Sequence, residues 1–176
     1  NCPRCSTDLI VDGAFIKCLN IECPSRLERG ILYWCRKLGM DGIGEKLAEQ
    51  LCSSGLVSSL ADLYRLEDRE RELIGLERMA QKSASNVLEE LNSTRSMTFS
   101  TFISALGLPR IGPEIATLVC SEVRDLEELI QMTEDREEAV RRLISVDRIG
   151  ETVATLLLDG ISERKDAIID LREQIE

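Results

Sequence analysis

The chain has 176 residues, 43% of them hydrophobic but only 3% aromatic, and a formal net charge of −10. That length holds one medium domain or two small ones on an aliphatic core, and no run approaches the ~18 to 20 apolar residues of a membrane helix. The charge excludes a polycation that coats nucleic acid, but the acid is uneven: 6 basic and 5 acidic side chains in residues 1–44, 8 and 11 in 45–120, and 8 and 16 in 121–176. A neutral-to-basic face on the first two thirds therefore stays open. Asn1 stands directly before Cys2 with no starting methionine, so an excised fragment of a longer protein is expected.

The first 24 residues hold Cys2, Cys5, Cys18 and Cys23 in a C-x2-C-x12-C-x4-C arrangement. Two close pairs a dozen residues apart let four thiolates meet around one tetrahedral ion, usually Zn2+. Four cysteines close the coordination shell, so the metal is expected to be structural. Two disulfides or an iron–sulfur cluster are the alternatives; Cys35, Cys52 and Cys120, set in helical apolar patterns, point to a reducing compartment and against disulfides. Asp12-Gly13 between apolar runs predicts a two-residue turn in a small hairpin.

Pro24 suits a helix start, and Leu27, Ile31, Trp34 or Cys35 and Leu38 predict an amphipathic helix to about Lys37. Its outer side would show Arg26, Arg29, Arg36 and Lys37, either as phosphate contacts or as a solvated face. Helices are expected next at about Glu45 to Ser54, Ser58 to Arg65, Asp68 to Leu73 and Ala80 to Asn92. The polar break Ser93-Thr94-Arg95-Ser96 marks a boundary. Thr98 caps a helix ending at Gly107, Pro113 opens another, and short acidic helices follow at Asp125 to Gln131 and Glu134 to Leu143. A last helix over Glu163 to Gln174 places Ile168, Leu171 and Ile175 on one face.

One pattern recurs. With Gly44 as position zero, an apolar residue precedes it (Ile43), Ala48 stands four later and Leu51 seven later. The same frame returns at Ala80 (Met79, Ala84, Val87), Gly112 (Ile111, Ala116, Val119) and Gly150 (Ile149, Ala154, Leu157), at spacings of 36, 32 and 38 residues. Four copies indicate duplicated supersecondary units. An Ala at +4 lets helix backbones approach closely, and Gly before the helix permits unusual backbone angles and leaves a ligand unobstructed. The first N–H groups of each helix lack intrahelical partners and carry the positive end of the dipole, so a glycine turn opening a helix suits an anion such as phosphate. A plain turn between packed helices is the simpler alternative for any one copy.

The frame resembles the helix-hairpin-helix motif, a DNA-backbone binder. With the four-cysteine finger, CPSRL, CRKLGMDGIGEKLAEQL, ADLYRL, LIGLE, QKSASNVL, SALGLPRIG and VDRIG in order, residues 2 to 175 resemble the C-terminal half of bacterial-type NAD+-dependent DNA ligases. The resemblance implies an all-α fold of two paired helix-hairpin-helix domains, 25–93 and 94–176, after a zinc finger at 1–24. It implies duplex or nicked DNA as partner, gripped without sequence preference, with Gly42, Gly44, Lys46, Lys82, Arg110, Gly112, Arg148 and Gly150 at the interface. The first and third hairpins should matter most. The second, Leu76 to Ala80, lacks both glycines the family tends to have and reads better as structural, with Arg78 a weaker contact. The first departs too, since Met40-Asp41 runs straight into Gly42-Ile43-Gly44 where the family usually has two further residues.

The chain lacks the Lys-x-Asp-Gly motif that supplies a ligase's lysine nucleophile, has no histidine, and sets no serine or cysteine beside an obvious base. No catalysis is expected from this chain alone. The resemblance assigns NAD+ and nick sealing in replication and repair to an N-terminal half with adenylation and OB-fold domains, in a cytoplasmic, nucleoid-associated enzyme. A protein-binding adaptor, or a free-standing repair factor built from the same parts, is the competing expectation.

Overall fold

The computed structural model describes residues 1–12, 14–18 and 23–175. Among them the chain is helical apart from one antiparallel hairpin, β1 (Leu9–Asp12) and β2 (Phe15–Cys18). Asp12 pairs with Phe15 as the last residue of β1, so it belongs to the strand rather than to the expected turn; Gly13 lies outside the described residues. The chain divides into two compact units, Asn1–Glu90 and Leu91–Glu176.

In the first unit, Cys23 and Pro24 open α1 (Pro24–Lys37), whose Ile31, Trp34 and Cys35 are buried. Leu38 ends it in a Schellman motif: Gly39 takes a left-handed φ of 70°, and the Met40 N–H returns to the Cys35 carbonyl at 2.9 Å. The hairpin then leads into α2 (Glu45–Ser53), closed by left-handed Gly55. The stretch expected as two helices from Ser58 to Leu73 is finer grained. It holds α3 (Leu60–Leu63), a 3-10 turn (Leu66–Arg69) and α4 (Glu70–Ile74). The late start has a cause: Ser59 accepts from the Asp62 N–H while the Asp62 carboxylate accepts from the Ser58 and Ser59 N–H groups, a capping box that fixes Leu60 as the first helical residue. Helix α5 (Gln81–Ser93) follows the second hairpin, and its last turn, from Leu91, belongs to the second unit. Trp34 anchors the core, its Nε1–H donating to the Tyr64 hydroxyl at 3.0 Å with the rings edge to face.

The second unit contains α6 (Phe99–Ala105), α7 (Pro113–Glu122), α8 (Leu126–Met132), α9 (Arg136–Ile144), α10 (Glu151–Glu163) and α11 (Lys165–Glu173). Thr98, Asp125 and Asp135 cap α6, α8 and α9 with their side chains. Phe102, Ile103, Leu129, Leu143, Leu157 and Ile161 fill the core, and Ile168, Leu171 and Ile175 are buried as the spacing predicts. Arg142 of α9 bonds Glu122 of α7 and Glu128 of α8, each at 2.8 Å, locking three helices.

Candidate nucleic-acid interface and metal centre

The four-copy frame is a physical repeat. In each copy the Ala N–H at +4 closes the first helical bond onto the position-zero carbonyl: Ala48 to Gly44, Ala84 to Ala80 and Ala116 to Gly112 at 2.9 Å, and Ala154 to Gly150 at 3.0 Å. All four alanines are fully buried, and so, within 3%, are Leu51, Val87, Val119 and Leu157 at +7. At −1, Ile43, Ile111 and Ile149 are buried, while Met79 of the second copy is only half-buried.

Position zero is where a ligand would meet the helix. Gly44, Gly112 and Gly150 have φ of −91°, −86° and −86° with ψ near 180°, and none of the three helices has a side-chain cap. Side-chain hydroxyls or carboxylates cover the starts of α3, α6, α8 and α9 instead. These φ values are open to any residue, so glycine serves space here rather than unusual angles. A Cβ on any of the three would meet nothing within 4 Å, so open space stands before the leading N–H groups of α2 and α10 and before those of α7, which begin at Glu114 because Pro113 has none.

The unusual angles lie two residues earlier. Arg78, Arg110 and Arg148 have left-handed φ of 63°, 63° and 67°, in the third place of turns closed by Met79 to Leu76, Ile111 to Leu108 and Ile149 to Val146, each at 3.1 Å. Glycine or asparagine ordinarily fills that place. The second copy thus keeps the backbone of the third and fourth despite having no glycine. The first copy is the divergent one. Gly42, in the place of those arginines, is not left-handed, and its N–H donates to the Glu90 carboxylate of α5 at 2.8 Å. A Cβ on Gly42 would stand 2.9 Å from Glu90 Oε2 and 3.2 Å from Val87 Cγ2, so this glycine is required by close packing.

Within the second unit the third and fourth hairpins are joined. Arg148 pairs with Glu114 in the first turn of α7, and Leu108 of the third hairpin sits against Gly160 of α10, where a Cβ would fall 2.5 Å from Leu108 Cδ2. Lys46, Lys82 and Arg110 are exposed and, among the described residues, have no carboxylate partner. Sequence reasoning missed Glu90, Glu114 and Gly160. Only Gly160 carried a signal, as a helix-interior glycine disfavoured by about 1 kcal/mol.

The four predicted cysteines converge. Cys2 and Cys23 sulfurs are 3.8 Å apart, those of Cys5 and Cys18 3.5 Å, and all four lie within 4.8 Å of one another. Those separations exceed a disulfide bond and suit thiolates about 2.3 Å from one tetrahedral ion, whose sulfurs stand about 3.8 Å apart. The N–H groups of Arg4 and then Cys5 hold the Cys2 thiol below its ordinary pKa, favouring the thiolate that a metal needs. Arg4 also ties the finger to the helices by pairing with Glu28 of α1 and Glu49 of α2. Burial pushes the other three thiols the opposite way, Cys35 up to about 12 and Cys52 and Cys120 up to about 11, as expected of inert packing residues.

Paired helices joined by hairpins with uncapped entrances define a tandem helix-hairpin-helix protein. The SAM-like helix-hairpin-helix tandem family matches residues 38–93 and 102–163, and the chain belongs to it. Nearly its whole length is also similar to DNA ligases. It is 33% identical over 162 residues to that of Coprothermobacter proteolyticus, covering 91% of this chain and 23% of that protein. To the ligase of Syntrophomonas wolfei it is 30% identical over 179 residues, 98% of the chain and 26% of the relative. To that of Campylobacter fetus it is 31% identical over 176 residues, 99% and 26%. The chain therefore spans about a quarter of the length of the curated relatives it matches. No helix among the described residues is long and apolar enough to cross a membrane.

Proposed function

We propose that the chain is the duplex-holding part of an NAD+-dependent DNA ligase, gripping phosphates of nicked DNA through the N–H groups at its hairpin helix entrances. The carrying observation is the shared geometry of Gly44, Gly112 and Gly150: extended, without side-chain caps and with open space where a Cβ would stand. Arg110 and Arg148, with Lys46 and Lys82 two residues into their helices, add positive charge beside those amides. Phosphate contacts position a protein without reading bases, so no sequence preference is expected. The four cysteines hold one structural Zn2+, which stabilises a finger too small to fold on its own core. Adenylation from NAD+ and nick sealing belong to adenylation and OB-fold domains elsewhere in the enzyme, which works in the cytoplasm on nucleoid DNA.

Titration of a labelled nicked duplex at low and moderate salt tests this. Weak, salt-dependent binding indifferent to sequence supports it. No binding, together with tight capture of a protein partner, would replace it with an adaptor role.

A further inference from the structure

Helix α1 carries a cationic face that the hairpin mechanism does not use. At 100° per residue, Arg26, Arg29, Tyr33, Arg36 and Lys37 fall within an arc of about 100°, opposite the buried Ile31, Trp34 and Cys35. All four cations are exposed. The helix has a single acid, Glu28, which lies off this arc and is paired with Arg4. Among the described residues Arg29, Arg36 and Lys37, like Lys46, Lys82 and Arg110 at the hairpins, have no carboxylate partner, whereas Arg4, Arg65, Arg69, Arg124, Arg136, Arg141, Arg142 and Arg148 are held in ion pairs. In a chain with 32 acids and 22 bases, three cations on one helix face, Arg29, Arg36 and Lys37, without a carboxylate partner among the described residues leave that face positive.

Tyr33 adds a second feature. The Arg36 guanidinium and the Lys37 ammonium both lie over its ring, 5.5 and 5.4 Å from the centroid. A cation–π contact orders a long side chain without cancelling its charge, so these two cations are arranged and still fully positive toward an incoming anion.

We infer that this face of α1 is a separate phosphate-binding rail that follows the DNA backbone beside the first hairpin. It rests on the duplex-binding reading of the hairpins, to which it adds a contact surface of side chains rather than amides. From Arg26 to Lys37 the rail is about 16 Å long, the rise of roughly five nucleotides of one strand. It ends where the first hairpin begins, since Lys37 is followed directly by the Schellman turn that leads to Gly44.

The test measures duplex affinity by anisotropy of a labelled nicked duplex from roughly 50 to roughly 200 mM salt. It compares wild type, a rail variant (Arg29→Gln, Arg36→Gln, Lys37→Gln) and a hairpin variant (Lys46→Gln, Lys82→Gln, Arg110→Gln). Each phosphate contact contributes about 0.9 to the slope of log affinity against log salt, so the rail variant is expected to be shallower by about 2 to 3, with melting temperature and metal content unchanged. A slope within about 0.5 of wild type, while the hairpin variant becomes shallower, overturns the rail and leaves the hairpins. Loss in the rail variant alone keeps the rail and removes the hairpin cations. A wild-type chain that does not bind overturns both. Arg29→Glu, a single change at an exposed site, guards against a fold defect in the triple variant and should weaken binding more than Arg29→Gln.

Discussion

Arg110→Gly should raise stability and lower DNA affinity together, and the opposite signs make it diagnostic. Arg110 holds φ at 63° with an exposed side chain and no carboxylate partner among the described residues. A non-glycine residue in the left-handed region costs about 1 to 2 kcal/mol, which glycine recovers. Glycine's extra freedom in the unfolded chain returns roughly 0.5 to 1 kcal/mol of that. The net gain is roughly 0 to 1.5 kcal/mol, and each kcal/mol moves the melting temperature of a unit this size by about 4 to 8 °C. The turn bond from Ile111 N–H to the Leu108 carbonyl is untouched, so the hairpin keeps its shape. Binding loses one exposed cationic contact, about 1 kcal/mol or roughly fivefold, and the salt slope falls by about 1. Circular-dichroism melts and anisotropy titrations at several salts read the two quantities separately. A lower melting temperature, or a salt slope unchanged from wild type, would refute the assignment of strain and charge to this residue.

Gly112→Ala meets nothing within 4 Å and keeps an extended backbone; it should cost at most about 1 kcal/mol in melts yet weaken duplex binding, because a methyl takes up part of the open space that a phosphate would enter at the start of α7. Gly160→Ala should cost about 1 to 3 kcal/mol through overpacking against Leu108; paired with Leu108→Ala, the same substitution should cost nothing, and a simple sum of the single effects in urea unfolding would deny the contact. Removing metal by chelation, or Cys18→Ser, should strip one zinc per chain and unfold the finger, read by elemental analysis and amide exchange; a metal-free chain with an unchanged finger spectrum rejects the zinc assignment. Asp62 is opposed by its burial, but bonds from Ser58 and Arg65 outweigh that and hold its carboxyl below the usual range. The unfolded chain therefore takes the proton first as pH falls, and the stabilisation, complete above about pH 4, fades below it. The melting-temperature gap between wild type and Asp62→Asn should close in acid, and a gap that persists would show that the charge is irrelevant.

The helix layout was legible because its signals are local. The −1, +4 and +7 apolar positions, Thr98 before α6 and Pro113 at the start of α7 each follow from a few neighbouring residues. The stretch from Ser58 to Leu73 was misread because Asp62 looks like an ordinary helical acid until its carboxylate is seen turned back onto the Ser58 and Ser59 amides. The four cysteines were legible from spacing alone. The Glu90 bond to Gly42 spans 48 residues, and the Arg148 pair with Glu114 spans 34. No periodicity encodes such contacts, because they depend on how finished helices stack. The role of glycine at position zero was half legible: the open approach could be read, but the backbone strain belongs to the arginines two residues earlier.

On the duplex-binding reading, those arginines also bear on how an acidic chain would hold a polyanion. A backbone amide attracts a phosphate only at short range, so it needs no favourable field over the whole protein. The two units combine amide and side-chain charge differently. Two residues into the helix, the first unit carries Lys46 and Lys82, whereas the second carries Glu114 and Thr152, and Glu114 already occupies Arg148. A phosphate arriving at the fourth hairpin must therefore displace a carboxylate, and an equal exchange of anions on one guanidinium releases little net counterion. On the duplex-binding reading the first unit supplies most of the salt-sensitive affinity, while the second holds DNA chiefly through its amides. That division follows from where the carboxylates sit, and the whole-chain charge of −10 would conceal it.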